Sequence, residues 1–60
     1  MYEVYEKMRN ARGVSSNAVA KATGISPVVF SDWKRGKSKP KLDKLKKIAD
    51  YFGVSVEVFT

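Results

Sequence analysis

Residues 13–40 read GVSSNAVAKATGISPVVFSDWKRGKSKP, and the fold turns on how this stretch divides. Ser15 offers a side-chain oxygen to the free N–H groups of a helix over residues 16–23. Val19 and Thr23 lie one above the other on its inner face. Ala20 and Ala22 keep it thin enough for a close neighbour. Gly24 can take the left-handed conformation that stops a helix without a Cβ clash. After Ile25, Ser26 is a good N-cap and Pro27 suits the first helical position, where no N–H is needed. The next helix runs from 27 to about 35. At 100° per residue, Val29, Phe30 and Trp33 gather on one side, and Val28, Ser31, Asp32 and Arg35 on the other. Gly36 ends it.

Outward from this pair the spacing stays helical. Residues 2–12 put Tyr5 and Met8 on one face, with Val4 or Ala11 beside them, and Gly13 stops the run. Residues 37–41 form a short basic loop. Leu42, Leu45, Ile48, Ala49 and Phe52 keep the helical apolar period up to Gly53. The tail VSVEVF, residues 54–59, alternates like a strand, yet no second strand exists to pair with it. Ser55 as a cap to a final helical turn, with Val56 and Phe59 inward, is the favoured reading. The expected architecture is all-α: one domain over residues 1–60, a compact bundle of about five short helices.

Charge narrows the function. The chain has 12 basic and 6 acidic residues and a net charge of +6. Eight of the basic residues fall between positions 34 and 47, where Asp43 is the one acid. Such segregation suits a polyanionic partner, or else a solvated lysine face. Lys44, Lys46 and Lys47 share their face with Asp43 and Asp50 and fit the solvated reading. Arg35, Lys37 and Lys39 flank the exposed end of the third helix with no acid between them. The chain has no cysteine and no histidine. That removes thiolate metal sites, the usual general base and the usual physiological pH switch. No cofactor, metal or small-molecule substrate is expected, and no carboxylate pair converges as a hydrolase requires. No apolar run is long enough to span a membrane, and no secretion signal opens the chain, so the cytoplasm is the expected location.

A helix, a tight turn with glycine and a second helix at a steep angle form the helix-turn-helix that places its second helix in the DNA major groove. Ala20, Gly24, Ile25, Phe30 and Trp33 supply the small crossing residue, the turn and the apolar anchors. The segments GVSSNAVAKATGIS, FSDWKRGKSKP and LDKLKKIADYFGVSVE, spanning most of residues 4–59, resemble the lambda-repressor-like (Cro and Xre) family in order and spacing. The resemblance implies a regulator of bacterial or phage type that binds double-stranded DNA, with a homodimer on two half-sites. It implies base reading by Pro27, Val28, Ser31 and Asp32. It implies phosphate contacts from Ser16 and Asn17, and from Arg35, Lys37, Ser38 and Lys39. Residues 1–60 read as one helix-turn-helix DNA-binding domain, with the N-terminal part of a longer regulator as one reading.

Three departures qualify the likeness. Relatives often carry glutamine or serine where Pro27 and Val28 stand, and neither of these side chains hydrogen-bonds a base edge. Val28 can pack on a thymine methyl, and Asp32 can accept from a cytosine amino group. Lys34 stands where many relatives place an acid that pairs with an arginine of the first helix, here Arg9. Two cations cannot pair, so Arg9 must turn to another carboxylate or to water. Thr23 replaces a leucine, and its hydroxyl can bond back to a helix carbonyl. The alternative function is an antitoxin or accessory module acting through protein contacts, which the apolar Pro27 and Val28 favour.

Overall fold

The computed structural model describes Tyr2–Thr60. Its order is α1 (Tyr2–Arg12), α2 (Ser16–Thr23), α3 (Pro27–Lys34), α4 (Leu42–Phe52) and a closing 3-10 turn, Val56–Phe59. All four helices lie where the spacing predicts them. Among the described residues there is no strand, so the tail resolves to the helical alternative. The Ser55 hydroxyl accepts from the Glu57 N–H, Phe59 is fully buried and Val56 packs against the core.

The turn between α2 and α3 follows from its residues. Ser15 accepts from the Ala18 N–H at 3.1 Å and so starts α2. Gly24 ends it at φ +75°, a conformation that costs an L-residue roughly 1–2 kcal/mol. The Gly24 and Ile25 amides both donate to the Ala20 carbonyl, at 2.9 and 3.2 Å. Ile25 then drops into the core, and Pro27 opens α3 after the Ser26 cap. The Thr23 hydroxyl donates to the Val19 carbonyl at 2.7 Å, so this polar group satisfies itself within the helix.

Tyr5 is the centre of the core. Its ring stacks on Phe30 at 5.3 Å and on Trp33 at 5.2 Å, and meets Phe52 edge-on at 6.1 Å. Phe59 closes the far side of Trp33. Val19, Ala20, Leu45, Ile48 and Ala49 complete the buried set. On α1 the choice between Val4 and Ala11 falls to Val4, which packs on the core while Ala11 is exposed. Leu42 is a correction. It fits the apolar period of α4 but is 54% exposed. It opens the helix about 70° from the centre of the buried stripe, and the chain just before it is anchored by the buried Pro40 instead. Ala22 is likewise exposed, so Ala20 alone makes the close crossing.

Candidate nucleic-acid interface

α3 is rooted by Phe30 and Trp33, which are 2% and 5% exposed. The opposite flank is therefore turned to solvent. Val28 is 62% exposed at its crest, and Pro27, Ser31 and Arg35 are exposed around it. Asp32 differs from the rest of this set. It is half-buried and lies in a cleft with Val29, Ser38, Lys39, Lys41 and Lys44. Three lysines around one carboxylate offset its repulsion of phosphates.

The basic loop is held against the end of α3 by its own backbone. The Arg35 amide donates to the Ser31 carbonyl and the Gly36 amide to that of Trp33, both at 3.1 Å. The Asp32 carbonyl accepts from the Lys37 and Ser38 amides at 2.9 and 3.4 Å. Gly36 makes this reversal possible at φ +74°. Arg35, Lys37, Ser38 and Lys39 are thereby displayed, exposed, along one border of α3. Among the described residues, none of the eight cations between positions 34 and 47 has a carboxylate within 4 Å. Asp43 and Lys47, one helical turn apart, do not pair.

Along the other border of α3 runs a cleft of about 310 Å³. Tyr2 and Arg9 of α1, Ser16 and Asn17 of α2, and Ser31 and Lys34 of α3 line it, with Pro27 at its edge. The structure thus brings together Ser16, Asn17, Pro27 and Ser31 in one cleft. It sets Arg35, Lys37, Ser38, Lys39 and Asp32 on the opposite border. Arg9 has turned to a carboxylate, as Lys34 requires: it lies 3.9 Å from Glu6 and donates to the Val14 carbonyl at 3.3 Å.

Two members of the site escaped sequence reasoning. Tyr5 reads as packing, and it does pack, but its hydroxyl hydrogen-bonds the Ser16 Oγ at 2.8 Å. Burial pushes this phenol above its ordinary value of 10.0, with the Ser16 hydrogen bond pulling the other way. Lys34 reads as a lost ion pair rather than as part of a cleft. Neither role has a local signal, because each depends on α1 crossing the start of α2.

A core-anchored α3 joined to α2 through Gly24, exposed on its far flank and bordered by cations, defines a helix-turn-helix domain. A family model for the helix-turn-helix matches residues 6–59, and the chain belongs to this lambda-repressor-like, Cro/C1-type family. The match supports DNA-binding transcription-regulator activity in general, and the family is a regulatory rather than an enzymatic one. No curated protein and no solved structure matches the chain. Among the described residues, no helix is long and apolar enough to cross a membrane.

Proposed function

We propose that this chain is a sequence-specific binder of double-stranded DNA that represses transcription, with α3 in the major groove. The observation that carries the reading is the open flank of α3, bordered on one side by Arg35, Lys37 and Lys39, which have no carboxylate within 4 Å among the described residues, and on the other by the cleft that Ser16, Asn17 and Lys34 line. Eight helical residues span about 12 Å, close to the width of the major groove. Val28 then meets base edges first, with Pro27 and Ser31 beside it and Asp32 reached from the side. Ser16 and Asn17 face one phosphate strand. Arg35, Lys37, Ser38 and Lys39 face the other. Base contacts specify and phosphate contacts position, and here the positioning set is much the larger. Part of the specificity then comes from DNA shape.

We further propose that two copies bind together on a two-fold operator. Half-sites one turn apart lie about 34 Å centre to centre. The domain measures 25 × 22 × 20 Å, so two copies fit on one face of the duplex without overlap.

A salt titration tests the reading against a module that works through protein contacts. Binding through several phosphates weakens steeply from low to physiological salt. Arg35→Ala and Lys37→Ala should weaken binding to every duplex alike and flatten the salt dependence. Affinity for all duplexes that is weak and indifferent to salt would refute it.

A further inference from the structure

The tail carries a signal that DNA binding does not use. Residues 54–59, VSVEVF, alternate as a strand does, yet Val56–Phe59 fold as a 3-10 turn. Extended, the segment would set Val54, Val56 and Val58 on one face and Ser55, Glu57 and Phe59 on the other. The folded turn makes little of those valines: Val54 and Val58 are 36% and 40% exposed, and Val56 is half-buried. β-Branched and aromatic residues favour strands. Six residues of this kind, with Glu57 as the one charge and no proline or glycine, fit the composition of segments that stack as β-sheet between identical chains.

The turn is lightly held. The Glu57 amide donates to the Ser55 Oγ at 3.3 Å, the Val58 amide to the Ser55 carbonyl at 3.2 Å, and the Thr60 amide to the Glu57 carbonyl at 3.1 Å. Each of these bonds reaches three residues or fewer, and 3-10 bonds are poorer than those of an α-helix. The anchor is the Phe59 ring, buried edge-on against Trp33 at 6.0 Å. Residues 28–33, VVFSDW, have a similar composition, but they lie within α3 and bury both Phe30 and Trp33. They open only with the core, whereas the tail opens by withdrawing Phe59 while the four helices stay formed. Such partial openings are minor populations of a native protein. We infer that residues 54–59 are a latent strand that, once lifted off, pairs with the same segment of a second copy of this chain. Each added strand leaves a new unpaired edge, so further copies join. Identical segments bring valine face against valine face. The inference is independent of the DNA-binding reading.

The test incubates the whole chain at high concentration, well below its thermal midpoint, and follows thioflavin T fluorescence and the infrared band of intermolecular β-sheet. The wild type should gain both signals after a lag that shortens as protein concentration rises. Val54→Lys and Val58→Lys change side chains that the folded turn leaves partly in water, so both should stay helical by circular dichroism. Both should lose the β signal over the same incubation, because a charge on the pairing face blocks stacking. Leu42→Lys adds the same charge at an exposed apolar position on α4 and should assemble as the wild type does. Amide exchange on the assembled material should protect residues 54–59. A wild type that stays monomeric would overturn the inference. So would an equal loss of signal with Leu42→Lys, since net charge alone would then suffice, or protection over 28–33 with 54–59 open. Assembly that starts only after the helices have melted would overturn it too, because the tail would then have no opening of its own.

Discussion

Tyr5 joins the core to the interface in a single side chain. Its ring is fully buried, while its hydroxyl reaches Ser16 at the start of α2. Tyr5→Phe keeps the ring and deletes the hydrogen bond, which should cost about 1 kcal/mol of stability and weaken DNA binding by releasing Ser16. The same variant tests the alkaline behaviour. The folded phenol holds its proton more tightly than the unfolded one, because burial raises its pKa above 10.0. Its contribution is therefore whole below pH 10 and is lost as pH climbs through the raised folded value. Thermal midpoints between pH 9 and pH 11 should fall more for the wild type than for Tyr5→Phe. Val28 belongs to the same scale but does the opposite work, since it is 62% exposed and supports nothing inside. Val28→Ala should leave stability within about 0.5 kcal/mol and change which duplex is preferred. If Val28 sits on a thymine methyl, uracil at that position should weaken wild-type binding roughly fourfold, the worth of one buried methyl, and leave Val28→Ala nearly unaffected. A base-substitution profile unchanged by Val28→Ala would move the reading face elsewhere.

At the scale of elements, the α2–α3 turn is the part most exposed to single changes. A Cβ at Gly24 meets nothing within 4 Å, yet the backbone there stands at φ +75°. Gly24→Ala should therefore destabilise by backbone strain alone, by roughly 1–2 kcal/mol, and chemical denaturation can measure it. Helix positions were legible because their signals are local: Ser15, Ser26 and Ser55 cap, Pro27 starts, and Gly24 and Gly53 stop. The inner faces were legible too, since Phe30 with Trp33, and Leu45 with Ile48, Ala49 and Phe52, obey the helical period. Leu42 shows where that reasoning fails, because periodicity does not tell where the neighbouring wall ends. The outward set on α3 was readable from the same wheel, apart from the degree to which Asp32 is enclosed. The loop of residues 37–41, brought beside it by bonds to the Asp32 carbonyl, lies outside any helical pattern. The Tyr5–Ser16 bond and the sharing of one cleft by Arg9 and Lys34 join residues 11 and 25 positions apart, and no short-range pattern encodes them.

For the molecule as a whole, size and charge set the expectations. Two bodies 25 Å or less across fit a 34 Å repeat with space between them. Footprinting on an operator should show two protected patches about one helical turn apart on one face. A single isolated patch at saturation would mean that one copy acts alone. The eight cations between positions 34 and 47 carry a further consequence. None of them has a carboxylate within 4 Å among the described residues, so the positive field of this arc, only partly offset by Asp32 and Asp43, should attract small anions from solution when the domain is free. Docking on any duplex sends those ions, and the DNA's own condensed cations, back to the bulk, whatever the base sequence. On the proposed reading, this sequence-independent release would hold the domain loosely on any stretch of duplex before it meets a preferred one.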